Sequence, residues 1–304
     1  MDKIRIIVNP VAGAGNSAKR WAKIEPLLRD LGCEFDWAAT SKPGDASQLA
    51  ARAVDEGYGT VVAVGGDGTV SEVVNGLLAA AGETGTGASL GIIPTGRGVD
   101  LCRTVGVPLD YEAAARRLVD ARTVRIDVGE AEYNAGSRAE RRYFVNFAGL
   151  GFDVEVSRRA NTIAPKGGGT IPYLSSVFLS LLSYRNRRVE MVVDGEVVRR
   201  RVVAIIAANG QYFGGGMRVA PQASLTDGMF DVVVLGDLNR LDLLINLPRV
   251  YEGTHTTHPK VDVTRARRLE VHSVEPVYFQ LDGDPLGETP VKLRLLPGAI
   301  RLLV

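Results

Sequence analysis

Between Thr60 and Leu78 the chain reads TVVAVGGDGTVSEVVNGLL, and this stretch narrows the choice of fold more than any other. Thr60 to Val64 is a short apolar, β-branched run that suits a buried strand. Gly65, Gly66, Asp67 and Gly68 follow as a tight turn that few side chains tolerate. Val70, Val73, Val74 and Leu77 recur at helical spacing. Thr69, with Glu72 three residues on, reads as a capping box that fixes the start of the helix. A glycine-rich turn running into a helix N-terminus presents unpaired backbone N–H groups to an anion. The stretch is therefore expected to bind phosphate; the alternative is a βα turn that binds nothing.

With 304 residues there is room for one large domain or two ordinary ones. The net charge of +1 gives no electrostatic ground for a nucleic-acid partner. Cys33 and Cys102 fall on apolar faces and match no metal spacing, so buried free thiols in a reducing compartment are expected. The opening MDKIRIIVNP enters a strand at once without a signal-peptide layout. No apolar run approaches the roughly 20 residues that span a bilayer. These features predict a cytoplasmic protein with no transmembrane segment, whose membrane contact is peripheral.

The first half alternates strands and helices. Ile4 to Val8 reads as a strand, followed by a small-residue loop from Asn9 to Gly15. Ser17 reads as the cap of a helix whose apolar face holds Trp21, Ile24, Leu28 and Leu31. Cys33, Phe35 and Trp37 alternate with polar residues in a strand ending near Thr40. Asp45 reads as the cap of the next helix. Leu90 to Ile93 is again apolar and closes in the loop Pro94 to Asp100. Asp110 opens a helix from Tyr111 to about Asp120, and Val124 to Val128 is strand-like. Such alternation implies a parallel sheet with helices on both faces. Ligands sit beyond the carboxyl ends of such strands, where the Asn9, Thr40, Gly66 and Pro94 loops make a nucleotide-sized cleft.

The texture changes near Gly129. Short strands separated by turn residues follow, among them Val202 to Ala208, Phe230 to Leu235, Leu269 to Val271, Tyr278 to Leu281 and Val291 to Leu295, the pattern of an all-β domain. Asp194-Gly195 is a hairpin signal. Pro172 to Tyr184 reads as an apolar helix too short to span a membrane, followed by Arg185, Arg187 and Arg188. It is either a helix packed on the β-domain or a lid facing anionic lipid. His255 and His258 read as a surface loop, and His272 as a structural strand residue.

These motifs resemble a known family. Asn9-Pro10 with Gly13, Gly65-Gly66-Asp67-Gly68-Thr69 with Glu72, and the Pro94 loop are similar to the catalytic domain of diacylglycerol kinases, in particular the soluble bacterial lipid kinases. Asn209-Gly210 with Tyr212, Gly214-Gly215-Gly216, Ala220-Pro221, Asp227-Gly228 and Asp282-Gly283-Asp284 continue the motif order. The Gly214 to Asp227 block is the more specific part, since NAD kinases and phosphofructokinases have similar glycine turns. The resemblance implies an α/β nucleotide-binding domain over 1–128, a β-sandwich lipid-substrate domain over 129–290, and a C-terminal strand over 291–304 returning to the first domain, with ATP between the two. It implies ATP contacts at Asn9, Pro10, Val11, Ala12, Gly13 and Thr40, and along Gly66, Asp67, Gly68, Thr69, Val70, Ser71 and Glu72, Asp67 also organising metal or phosphate. It implies Mg2+ at Ser224, Asp227 and the Met229 carbonyl, with Asp127 linking that site to the cleft. Asp284 takes the place of the family's proton acceptor, one methylene shorter than the usual Glu, and Asp282 is its alternate. Asp194-Gly195-Glu196 reads as a turn.

The largest departure lies in Gly96-Arg97-Gly98-Val99-Asp100, where the family has Gly-Thr-Gly-Asn-Asp. Arg97 either clamps phosphate with its charged fork or blocks the pocket. The expected activity is Mg2+-dependent transfer of phosphate from ATP to the hydroxyl of a lipid such as diacylglycerol at a membrane surface. A sphingoid base, another small polyol or NAD as acceptor, and a nucleotide- or lipid-binding regulator with little catalysis, are the alternatives. Monomer and homodimer both stay open.

Overall fold

Strongly β-branched runs alternating with helical segments give the first half its sheet. The computed structural model describes residues 3–81, 87–120, 122–156 and 184–304. Its contacts divide the chain into two units, Met1–Val128 with Leu296–Val304, and Gly129–Leu295. In the first unit β1 (Ile4–Val8), β2 (Phe35–Ala39), β3 (Thr60–Gly65) and β4 (Ser89–Pro94) run parallel in the order β2-β1-β3-β4. Arg301 and Leu302, near the end of β16 (Val291–Leu303), extend this sheet by pairing in parallel with Ser89 and Leu90. The crossovers carry α1 (Asn16–Asp30), α2 (Asp45–Asp55), α3 (Asp67–Ala81), α4 (Asp100–Val105) and α5 (Tyr111–Val119). Every residue of β3 and β4 is buried, as parallel strands covered on both faces require. Strand order reverses between β1 and β3, so the loops that follow them flank the switch point where such sheets take ligands.

Three helix starts differ from the sequence reading. α3 begins at Asp67, not at a Thr69 cap. Thr69 Oγ1 instead accepts a hydrogen bond from Asn9 Nδ2, and the Glu72 carboxylate accepts from Gly44 N and Ala46 N at the start of α2. Tertiary partners have taken both halves of the expected capping box. α1 is preceded by the left-handed Gly15, while Ser17 is buried and bonds Thr95 Oγ1 at 2.7 Å. Asp45 lies just inside α2, whose cap position is Gly44, and its carboxylate turns back to Ser41 and Lys42. Asp110 does cap α5, accepting from Ala113 N at 2.8 Å.

In the second unit the end of β5 (Thr123–Ala135) pairs with β6 (Arg138–Phe144). β9 (Glu196–Val202), β8 (Arg187–Val193), β13 (Arg268–Ser273) and the start of β16 form an antiparallel run. The second sheet has the order β12-β11-β10-β7-β14-β15, made of Val261–Ala266, Phe230–Leu235, Ala204–Ala208, Phe147–Gly151, Tyr278–Leu281 and Asp284–Glu288. Between the sheets lies one core containing Phe144, Met191, Ile205, Phe230, Leu269 and Phe279, as in a β-sandwich. The expected single strand Val202 to Ala208 is broken. Val203 donates to Leu235 O, and the chain passes from one sheet to the other between β9 and β10.

The other face of the second sheet is covered by Met217, Val219, Ala220 and Ala223 with Leu243 and Val250 of α6 (Arg240–Glu252). The sequence reading passed over α6. Its Leu241, Leu244 and Ile245 are exposed and Pro248 interrupts it, so no clean apolar stripe marks it. His255 is buried rather than on the surface: its Nε2 lies 3.0 Å from Val219 O, and burial pushes its pKa down. The apolar helix expected at Pro172 to Tyr184 lies outside the described residues except for Tyr184. Cys33 and Cys102 are free and buried. Among the described residues no helix is long and apolar enough to cross a membrane.

Candidate active site

Because the strands of the first unit are parallel, Asn9, Thr40, Gly66 and Thr95 emerge along one sheet edge. The loops are stitched together by backbone: Thr40 N donates to Val8 O at 2.9 Å, Asn9 N to Val64 O at 2.9 Å, and Thr95 N to Gly65 O at 2.8 Å. Asn9 adds a side-chain link, with Nδ2 3.0 Å from Thr69 Oγ1 and Oδ1 accepting from Val11 N at 3.2 Å. Glycine is needed at two contacts. Gly13 has φ 61°, and a Cβ there would lie 2.4 Å from Thr95 O. A Cβ on Gly96 would lie 2.3 Å from Gly66 Cα. At Gly68, by contrast, a Cβ would meet nothing within 4 Å. This open side belongs to the first turn of α3, where Thr69 N and Val70 N donate to Gly66 O at 2.9 and 3.1 Å. A glycine turn leading into a helix N-terminus is the general setting in which backbone N–H groups meet an anion.

The side chains of this turn mostly point elsewhere. Thr69, Val70 and Ser71 are buried, and Glu72 holds the start of α2. The Asp67 carboxylate accepts from Asp100 N at 3.1 Å and Leu101 N at 3.3 Å, tying the Pro94 loop to α3 and capping α4. Burial, with the Asp67 charge adding to it, pushes the Cys102 thiol up to about 12, so this sulfur is inert. Val11 and Arg97 are exposed. Asp127 is buried and accepts from Gly298 N at 2.8 Å.

In the second unit both Asp-Gly-acid triplets form the same hairpin. Asp194-Gly195 has φ 47° and 97°, and Asp282-Gly283 has φ 48° and 92°, the geometry that Asp-Gly favours. In each, the Asp carboxylate accepts backbone N–H groups from a neighbouring segment. Asp194 takes Arg267 N and Arg268 N. Asp282 takes Val145 N and Asn146 N at 2.9 Å and Phe147 N at 3.1 Å. The Val145–Phe147 segment is held from its other side as well. Asn209 N and Gly210 N donate to Asn146 O, Asn209 Nδ2 donates to Val145 O at 2.7 Å, and Asn146 Nδ2 donates to Tyr212 O at 2.5 Å. Asp282 and the Asn209-Gly210 motif thus belong to one scaffold. Asp284 differs: its side chain is 52% exposed and is held by Arg142 Nη2 at 2.6 Å.

This contrast predicts that Asp282→Asn, which turns an NH2 group or a weaker acceptor toward three N–H donors, lowers unfolding free energy by about 2–4 kcal/mol. Thermal melting checks it; an unchanged melting temperature would show that the scaffold does not depend on that charge.

A third set of groups surrounds Ser224 to Asp231. Ser224 Oγ lies 3.2 Å from Thr226 Oγ1, and Asp227 Oδ1 accepts from Met229 N at 3.1 Å. Asp227 Oδ2 pairs with Arg265, whose Nε is 3.8 Å from Asp231 Oδ1. Asp231 is 3% exposed and its Oδ2 has no hydrogen-bond partner. Burial pushes its carboxyl above the usual range; Arg265 opposes this and the Asp227 charge adds to it. A hydroxyl, two carboxylates and the Met229 carbonyl are hard oxygen donors, and the orphaned buried oxygen of Asp231 fits a hard divalent cation. Among the described residues no three His, Cys, Asp or Glu side chains group as a metal site, so a cation here would rely on these two carboxylates.

The second unit also holds a cavity of about 190 Å³ lined by Gly151, Glu155, Tyr184, Arg187, Val277 and Tyr278. Close by in the chain, Asp153 accepts from Gln280 Nε2 at 2.7 Å, and burial pushes its pKa up to about 6. Arg142, Asn146, Asp153, Asp231 and Arg265 escaped the sequence reading. Each acts through a partner far along the chain, and only the strand pairing brings them together.

Two domain families match the sequence: the diacylglycerol kinase catalytic domain over residues 3–131, and the YegS C-terminal NAD kinase beta sandwich-like domain over residues 146–304. The diacylglycerol kinase of Bacillus subtilis (strain 168) is 30% identical over 291 residues, covering 95% of this chain and 92% of its own. The crystal structure of a diacylglycerol kinase from Bacillus anthracis str. Sterne aligns with TM-score 0.74 at 24% identity, over 99% of this chain and 96% of that one. Yeast NADH kinase, solved with NADH, aligns with TM-score 0.51 at 10% identity, over 100% of this chain and 83% of its own. The two structural likenesses speak for the fold alone: a parallel α/β domain and an antiparallel β-sandwich.

Proposed function

The chain belongs to the diacylglycerol kinase family, and we propose that it is a lipid kinase transferring the γ-phosphoryl group of ATP to the hydroxyl of a lipid such as diacylglycerol. The observation that carries this reading is the meeting of the Asn9, Gly66 and Gly96 loops at the switch point, closed by glycines and open beside Gly68. Phosphoryl transfer asks a protein for positioning, charge neutralisation and a group to take the hydroxyl proton. Backbone N–H groups of the Gly66–Gly68 turn hold phosphate oxygens; Asn9 and Asp67 hold the loops that shape the turn. Asp284 accepts the proton of the attacking hydroxyl. Ser224, Asp227 and Met229 are the residues that would hold Mg2+, which when bound offsets phosphate charge. The lipid acceptor is reached by peripheral contact with a membrane.

The fold shared with yeast NADH kinase keeps NAD as a second acceptor reading. The test is transfer of radiolabelled phosphate from ATP to vesicles containing diacylglycerol, ceramide or sphingosine, and to NAD in solution, each with and without MgCl2. Label on diacylglycerol that requires MgCl2 is expected. Label on NAD alone would defeat the lipid reading, and ATP binding without transfer to any acceptor would make the chain a regulator. Arg97 is read as a phosphate clamp, so Arg97→Thr is expected to raise the KM for ATP roughly tenfold. A gain in turnover would instead mark Arg97 as an obstruction.

A further inference from the structure

Asp227 and Asp231 share one guanidinium, and the arrangement is complete only at Asp227. Arg265 is the direct cross-strand partner of Asp231, yet its Nε stands 3.8 Å from Oδ1, beyond hydrogen-bond reach. Its other contact, through Nη2, goes to Asp227 Oδ2. Asp231 Oδ2 is buried without a donor, a situation native proteins rarely leave unexplained. Packing does not ask for an acid there. Val233, on the same face of β11, lies in an apolar cluster with Ala208, Val261 and Met217, and a hydrophobic residue at 231 would extend that cluster without desolvating a charge. The Arg265 side chain is 53% exposed, so it can leave for solvent without losing a packed position.

We propose that Asp231 is a ligand of the cation site at Asp227, and that Arg265 is the resident counter-ion which a divalent cation must displace. Binding transfers both carboxylates from the guanidinium to the metal, and Arg265 swings outward. The arginine keeps the acidic pair from repelling itself when cation is scarce, and it sets the concentration at which Mg2+ can enter. This inference rests on the magnesium reading of Ser224, Asp227 and Met229, and adds to it a fourth donor and a competitor.

The experiment is calorimetric titration of the full chain with MgCl2, without ATP or lipid and at matched ionic strength, with melting temperature followed in parallel. Arg265→Met is expected to bind Mg2+ about fivefold more tightly, the weight of one partly exposed ion pair, and to gain a larger rise in melting temperature on adding MgCl2. Asp231→Asn is expected to weaken Mg2+ binding roughly tenfold or more. If Asp231→Asn does not fold, Arg265→Met decides alone. Unchanged affinity in Arg265→Met, or no Mg2+ binding by either the parent or Arg265→Met, would overturn the proposal. Because no turnover is measured, a protein that binds Mg2+ in this way but phosphorylates no acceptor would sink the kinase reading and leave the cation site standing.

Discussion

Asp284→Asn is expected to melt with the parent protein, bind ATP with unchanged affinity and phosphorylate lipid about 10²- to 10⁴-fold more slowly. The substitution is nearly isosteric and removes only the ability to take a proton. Little stability rests on the group. Its pair with Arg142 joins two side chains that are 52% and 27% exposed, and such pairs contribute about 1 kcal/mol or less. Asp282→Asn should show the opposite split, losing stability first, because its carboxylate anchors Val145, Asn146 and Phe147. Measuring melting temperature and turnover on both variants therefore separates scaffold from chemistry within one hairpin. Near-normal turnover in Asp284→Asn would remove it from the mechanism and leave Asp282-Gly283-Asp284 as a turn like Asp194-Gly195-Glu196.

How much of this could be read from the residues depended on how local each cause is. The parallel half was legible because β3 and β4 have apolar centres and each is followed by a glycine turn, a pattern complete within a dozen residues. The Asp194-Gly195 hairpin and the Asp110 cap were legible for the same reason. The capping box at Thr69 was a reasonable local reading that failed, because Asn9 and the N-terminus of α2 offered those side chains better partners. The sandwich was recognisable as a class, but not the break at Val203, which exists only because two sheets meet there. At the candidate site, the glycines announced the tight turn between β3 and α3. The roles of Asp67 as a cap for α4 and of Asp282 as an anchor were hidden, since their partners lie 33 to 34 and 135 to 137 residues away.

Gly96→Ala should weaken nucleotide binding through backbone alone. The new Cβ would lie 2.3 Å from Gly66 Cα and 2.8 Å from Gly66 N. Both are main-chain atoms, so no rotamer change relieves the overlap; the Pro94 loop and the Gly66 turn must move apart. Overpacking of this kind lowers stability by about 1–3 kcal/mol, and the displaced N–H groups should raise the KM for ATP at least roughly tenfold, since small misplacements of binding groups have large kinetic effects. A loss of ATP binding could still be blamed on general damage, and Gly68→Ala resolves that. Its Cβ meets no protein atom within 4 Å, and alanine in the first turn of α3 should stabilise the helix by about 0.5–1 kcal/mol. If the open side of that turn is where phosphate sits, the methyl occupies the ligand's own space. Gly68→Ala would then melt at or above the parent temperature yet bind ATP more weakly. If the turn only joins β3 to α3, the same variant would gain stability and keep its ATP affinity, and the phosphate cradle would have to be sought elsewhere in the chain.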